Sequence, residues 1–166
     1  MRKTILVALF ALFGMSAMNA QGQFNVGAFG GLPIGDAGDF ATFAIGLDLS
    51  YMFEVSDDFE VGPVTGLSHS FGDEITILGV TLDVNDVTFL PIGGGFRFNA
   101  AESFSLGGDV GYAIGINDGN DGGFYYAPRA AYNVSEAVAI VAAFRGVAVD
   151  GGSWDIISLG VEFGID

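Results

Sequence analysis

The sequence predicts an all-β protein: an eight-stranded, antiparallel, up-and-down transmembrane β-barrel with a polar interior. Three observations lead to this prediction. About eight stretches alternate between apolar residues and small or polar ones, which is the period of a β-strand. Beyond residue 20 the chain has three cations, and each falls on the small or polar side of its stretch. Glycine, with 27 residues, is frequent on that same side, which suits a narrow bore.

The predicted strands are mostly long enough to cross a bilayer as tilted strands of about 9–11 residues. They span residues 24–32, 41–55, 59–71, 87–98, 104–116, 124–134, 138–149 and 155–165. Pro63 weakens the third strand, because a proline there needs a bulge or an unbonded N–H position. No later segment reaches 18 consecutive apolar residues, so the sequence predicts no membrane-spanning helix.

Six charged residues of these strands share the face opposite the large apolar side chains, and we expect a network of ion pairs inside the barrel. They are Arg97, Arg129, Arg145, Asp48, Asp109 and Glu162. Pairing the fifth and sixth strands across residues 117–123 places Asp109 opposite Ala131 and diagonal to Arg129. Removing one partner of a buried ion pair costs about 3–5 kcal/mol, so this network should matter for stability.

The connections alternate in length, which is typical of barrels inserted from the periplasm and places both termini at the short-turn end. The three short turns are residues 56–58, 99–103 and 135–137, and the longer loops are residues 33–39, 72–86, 117–123 and 150–154. Residues 75–82 are themselves β-prone. They form either an external hairpin or two further strands, which would give ten.

Aromatic residues gather near the predicted strand ends, as expected for two interfacial girdles. The first girdle, at the short-turn end, comprises Tyr51, Phe53, Phe59, Phe96, Phe98, Phe104 and Tyr132. The second, toward the longer loops, comprises Tyr112, Phe124, Tyr126 and Trp154.

Residues 1–20 have the pattern of a signal peptide, which leaves residues 21–166 as the barrel domain. Arg2 and Lys3 precede an apolar run over residues 4–13, and small residues lead to a cut after residue 20 or residue 17. The run is about half the length that a membrane helix needs. Removing both cations leaves three arginines against 20 acids, so the net charge is 3 − 20 = −17. Nucleic acid is therefore excluded as a partner, and the lack of cysteine excludes disulfides.

This architecture resembles the small eight-stranded outer-membrane barrels of Gram-negative bacteria: the OmpA transmembrane domain, OmpX and opacity-type proteins, and the outer membrane protein β-barrel domain family. The leader, the eight strands and hairpins such as FRFNAAESFSLGGDVGY carry the resemblance. It implies a monomer in the outer membrane with both termini in the periplasm and no cofactor. The partners it implies are membrane lipids, lipopolysaccharide and the assembly machinery. The implied role is non-enzymatic, in envelope structure or in surface interaction through four acidic loops.

Two features depart from this description or suggest other functions. The chain ends Phe163-Gly164-Ile165-Asp166 rather than on an aromatic residue, so assembly would depend on Phe163 or on internal strands. Some barrels similar to this one modify lipid A with His, Ser and an acid at the rim. The only histidine, His69, faces away from Ser68 and Ser70, which argues against such a rim enzyme.

Two further alternatives are disfavoured. A soluble periplasmic ligand-binding barrel would need its apolar residues inside, opposite to the alternation found. Residues 117–123 (NDGNDGG) could surround Ca²⁺, but they lack the spacing and the bidentate glutamate of a calcium loop. We therefore expect a solvated loop there and no metal site.

Overall fold

The computed structural model describes residues 22–77 and 80–165, with side chains throughout except over residues 75–83. The predicted signal peptide lies outside these residues. The strands are β1 (Gly22–Ile34), β2 (Ala41–Ser56), β3 (Phe59–Gly72), β4 (Glu74–Ile77), β5 (Val80–Asp83), β6 (Val87–Ala101), β7 (Phe104–Gly115), β8 (Gly123–Ser135), β9 (Val138–Val149) and β10 (Gly152–Ile165). A short 3-10 helix, Gly35–Asp39, joins β1 to β2. Within the described ranges, no helix is long and apolar enough to cross a membrane.

Eight of the strands close into a barrel in the order β1-β10-β9-β8-β7-β6-β3-β2, and all neighbours are antiparallel. The first and last strands pair with each other, so the cylinder has no free edge. The predicted eight-stranded barrel is confirmed. Because β3 pairs directly with β6, β4 and β5 form a separate two-stranded sheet and the ten-stranded alternative is wrong.

Side chains alternate across the barrel wall as the sequence pattern predicts. Leu47 is 54% exposed and Leu159 63% exposed on the outer surface, while their neighbours Asp48 and Ser158 point inward. The outer wall therefore presents a belt of large apolar side chains, and the residues shielded from solvent are mainly small or polar. This arrangement is the inverse of a soluble barrel and is that of a transmembrane one.

The predicted register between β7 and β8 is wrong. Asp109 lies opposite Ala127, not Ala131, although it remains diagonal to Arg129, which faces Gly107. The cause lies in the loop that connects β7 to β8, because its turn is not midway between the ends of these two strands. Ile116 donates its N–H to Thr88 of β6 instead of pairing with β8. The loop also turns at Gly122, whose positive φ of 72° is accessible mainly to glycine.

The connection between β9 and β10 is shorter than predicted. Val149 pairs with Gly152, so only residues 150 and 151 form the turn. Gly151 adopts a positive φ of 87°, which suits an Asp-Gly hairpin turn. Residues 152–154 consequently belong to β10 and follow its inward and outward alternation.

Candidate functional site

Three ion pairs cross the interior of the barrel near its middle. Arg145 binds Asp48 through two contacts of 2.7 and 2.9 Å, and Arg129 binds Glu162 through two contacts of 2.7 and 2.9 Å. Arg97 binds Asp109 through a single contact of 2.7 Å. The structure thus brings the six charged residues selected from the sequence into three pairs.

These pairs are well shielded from solvent. The three arginine side chains are between 5% and 9% exposed. A buried charge without a partner costs several kcal/mol, so each arginine here needs its acid. Two of the pairs join strands that are not neighbours, because β8 reaches β10 and β9 reaches β2. The pairs therefore connect non-adjacent strands across the interior of the barrel, in addition to neutralising the buried charges.

Arg145 has further contacts that fix its orientation. Its Nε donates to Ser158 at 2.9 Å, and its Nη1 lies 3.4 Å from the Tyr125 hydroxyl. The guanidinium carbon also lies 3.7 Å from the centre of the Phe29 ring. Sequence reasoning did not select these three residues for the network, although all belong to the inward face of their strands and the alternation could have indicated them.

An apolar cluster closes the barrel on the side of the longer loops, here called the loop end. The opposite end, with the short turns and the described chain ends Gly22 and Ile165, is called the turn end. The cluster consists of Phe89, Ala113, Tyr125, Ala127 and Val147, with Trp154 packed against it. Trp154 also donates its indole N–H to Ser70 at 3.1 Å. In the described part of the chain, a cavity of about 20 Å³ lies between this cluster and the Arg145–Asp48 pair, and one of about 10 Å³ lies among the ion pairs.

The prediction that Trp154 belongs to the outer aromatic girdle is therefore wrong. The two-residue turn places Trp154 within β10, on the same face as Ile156 and Ser158, which are buried inside the barrel. Its large apolar ring is half-buried at the loop end, and its N–H donates to a hydroxyl group, as the N–H of a shielded tryptophan usually does.

The other girdle aromatics lie on the outer wall. Those more than a third exposed are Tyr51, Phe96, Phe98, Phe104, Tyr132, Tyr112 and Phe124. Phe53 and Tyr126 are half-buried against neighbours on the same surface: Phe53 meets Tyr51 edge-on, and Tyr126 stacks between Phe124 and Phe144. Their placement suits interfacial anchoring, which is their expected role.

His69 lies on the outer wall near the loop end, with Phe71 edge-on to its ring. Its Nδ1 is 2.8 Å from the Thr88 hydroxyl, and its Nε2 is 3.4 Å from a carboxylate oxygen of Asp86. Sequence reasoning missed both partners, because they come from the opposite strand β6 and from the residue just before it. The structure forms no hydrogen bond between His69 and a serine among the described residues.

The loop over residues 117–123 is held by amides rather than arranged around an ion. Asn117 accepts the Thr88 N–H, and Asn120 donates to the Thr88 carbonyl and accepts the Gly122 N–H. Asp121 contributes its backbone carbonyl to the Tyr112 hydroxyl. Across the described part of the chain, no group of three or more His, Cys, Asp or Glu residues is placed to hold a metal ion.

The turn end differs from the loop end because it opens into a polar cavity of about 330 Å³, here called the vestibule. Arg97, Arg129 and Glu162 lie at its inner limit, and Asn25 and Ser105 lie on its walls. The interior is thus divided into an open polar half, a layer of ion pairs and a closed apolar half.

No protein-family model matches this sequence, and the comparison with curated proteins gave no match. Solved structures are similar. The outer membrane protein Ail of Yersinia pestis superposes with a TM-score of 0.59 at 16% identity, covering 87% of this chain and 100% of Ail. The N-terminal β-barrel domain of Pseudomonas aeruginosa OprF gives 0.56 at 17% identity, covering 89% and 100%. Neisserial surface protein A gives 0.50 at 13% identity, covering 87% and 98%.

The fold is therefore that of the small eight-stranded outer-membrane β-barrels. At identities below one fifth, the similarity concerns the barrel itself.

Proposed function

We propose that this chain is an integral outer-membrane protein, monomeric and non-enzymatic, with a role in envelope structure or in surface interaction. The observation that carries the proposal is the inverted barrel: a belt of large apolar side chains outside and three ion pairs inside. Only a closed barrel satisfies all strand hydrogen bonds within hydrocarbon, and only a lipid environment favours such a belt. A soluble periplasmic barrel would require the opposite distribution.

In this proposal the turn end faces the periplasm and the loop end faces outward. The short turns and both termini would then lie in the periplasm, as is usual for barrels of this kind. The loop end carries acidic residues at Asp36, Asp39, Asp73, Glu74, Asp86, Asp118, Asp121 and Asp150. Their expected partners are the divalent cations that bridge lipopolysaccharide, or basic surfaces outside the cell.

The closed interior supports a structural role over a porin role. Cavities of about 10 and 20 Å³ among the ion pairs and beside the apolar cluster leave room for no more than isolated waters. The three arginines of the described residues are all engaged inside the barrel, so the outer surface offers no basic patch for nucleic acid.

The proposal is tested by fractionation and electrophoresis of cells that express the full chain. The protein should be in the outer-membrane fraction, and its band should shift when the sample is boiled in SDS, because a closed barrel resists cold SDS. The control is a periplasmic extract released by osmotic shock. Recovery of the protein in that extract, with a band unchanged by heating, would contradict the proposal.

A second candidate is a rim enzyme acting on lipid A, and one contact favours it. The His69 imidazole lies between the Thr88 hydroxyl and the Asp86 carboxylate, the order of groups in a hydroxyl–imidazole–carboxylate triad. We expect the lipid A mass spectrum to be the same with the wild-type protein and with His69→Ala. A mass change that depends on both His69 and Thr88 would favour the enzyme.

A further inference from the structure

The vestibule at the turn end has the dimensions of a ligand site. Its volume of about 330 Å³ falls within the range of small-molecule sites, about 300–1,000 Å³. Its walls are polar, with Asn25, Ser105 and Asn133 among the lining residues. The ion pairs and the apolar cluster close its inner side, so a ligand enters and leaves through the turn end.

The inner limit of the vestibule offers unused hydrogen-bond donors. Arg97 is 6% exposed, and all its hydrogen bonds to described residues start from Nη1, which contacts the Phe96 and Gly108 carbonyls and Asp109. Its Nη2 and Nε donate to no described residue. Arg129 and Arg145, in contrast, each bind a carboxylate with both terminal nitrogens. The Nε of Arg129 also lacks a partner, but it is fully buried, whereas the unused nitrogens of Arg97 are not. Arg97 is therefore the arginine that can still receive a carboxylate from a ligand.

The mouth of the vestibule, in contrast to its inner limit, is negatively charged. Glu102 and Glu136 lie in the short turns that surround it, and Glu60 lines the wall between the mouth and Arg97, its partner across β3 and β6. The Glu60 carboxylate accepts a hydrogen bond of 3.1 Å from Asn99, which is nearer the mouth than Arg97. Among the described residues, no ion pair joins any of these three carboxylates to an arginine. The cavity thus presents a donor-rich cation at its inner limit and an excess of negative charge at its mouth.

We propose that the vestibule binds a zwitterionic ligand of amino-acid to short-peptide size. The ligand's carboxylate contacts Arg97, and its ammonium group lies among Glu60, Glu102 and Glu136. A simple anion would be repelled at the mouth, and a simple cation would leave the Arg97 donors unused. A dipeptide spans about 7 Å, which suits a cavity entered from one end. This site lies at the end of the barrel opposite the acidic loops and goes beyond the function proposed above.

The test is an NMR titration of the isotope-labelled barrel, refolded in detergent micelles. The probes are L-alanyl-L-alanine, its N-acetyl derivative and its C-terminal amide. We expect the dipeptide to shift the amide signals of Asn25 and Ser105 and to leave those of Gly119 and Gly151, at the loop end, unchanged. Each derivative lacks one charge and should bind about tenfold more weakly. Equal binding of all three probes, or no shifts at millimolar dipeptide, would overturn the proposal.

Two sets of variants separate this site from general charge effects. The triple variant Glu60→Gln, Glu102→Gln, Glu136→Gln should weaken dipeptide binding about fivefold. The matched control is Glu54→Gln, Asp57→Asn, Asp58→Asn. It removes three carboxylates near the same end that do not line the vestibule, and it should change binding less than twofold. Equal weakening by both triple variants would contradict the proposal.

A last variant tests the donors at the inner limit. Arg97→Lys keeps a positive charge beside Asp109 but removes the planar guanidinium fork, and it should weaken dipeptide binding about tenfold. The shift of its band on boiling shows whether this variant has folded. If it does not fold, the two glutamate and aspartate triple variants decide the question. Unchanged binding by a folded Arg97→Lys barrel would overturn the role of Arg97.

Discussion

Replacing Arg129 by alanine would test the ion pairs of the interior most directly. Arg129 is 5% exposed and binds both carboxylate oxygens of Glu162, which is 15% exposed and has no other hydrogen-bond partner among the described residues. Arg129→Ala leaves that carboxylate without a counter-charge. Breaking a buried pair costs about 3–5 kcal/mol. Because Glu162 lines the vestibule and water can reach it there, we expect the lower end, about 3 kcal/mol.

The assay is equilibrium unfolding in urea, with the barrel in detergent micelles and the fluorescence of its single tryptophan as the signal. With a slope of about 2 kcal/mol per molar urea, the loss corresponds to a midpoint lowered by about 1.5 M. Asp118→Ala, in an exposed loop, is the control and should stay within about 0.5 kcal/mol of wild type.

A double variant tests whether the cost comes from the unpaired carboxylate rather than from the absence of the ion pair. Arg129→Met with Glu162→Leu removes both charges while keeping the interior filled, and it should unfold within about 1 kcal/mol of wild type. Equal urea midpoints for Arg129→Ala and Asp118→Ala would refute the reasoning. So would a double variant as unstable as Arg129→Ala, since the double variant leaves no unpaired carboxylate and the cost would then have another cause.

Three further predictions concern the glycines of the barrel wall, the position of Trp154 and the closed interior. Gly62→Ala should lower the free energy of unfolding by about 1–3 kcal/mol in the same urea assay, because the added Cβ would collide with the Tyr51 carbonyl. Gly94→Ala is the control and should be nearly neutral, because its added Cβ would meet only a carbonyl oxygen at 3.9 Å. Trp154 fluorescence should be insensitive to brominated lipids because its ring packs against the interior cluster, and strong quenching by the lipids would place the ring outside. Purified barrels in planar bilayers should show no persistent conductance in potassium chloride, and steady open channels would contradict a closed interior.

The face of the barrel wall on which each side chain lies could be predicted from the sequence, because side chains alternate between the two faces of a strand with a period of two residues. Apolar Leu47 and Leu159 on one face, and Asp48 and Glu162 on the other, are sufficient to predict an inverted barrel. The number of strands followed from the spacing of turn residues. The six interior charges could be selected for the same reason: they share one side of the alternation.

What the local pattern could not supply is which residues meet across strands. The register of Asp109 depended on the hydrogen bond that Ile116 makes and on the turn at Gly122. The position of Trp154 depended on a turn of two residues instead of five. A shift in such a loop moves every cross-strand pair without changing the alternation along either strand.

The sequence by itself determined the fold class, the two faces of the wall and the candidates for the ion pairs. Only the tertiary structure decided the partner of each arginine, the inward position of Trp154 and the contacts of His69 with Thr88 and Asp86. The physical reason is that facing is a property of a single strand, whereas pairing depends on the geometry of the turns and on closure of the whole cylinder.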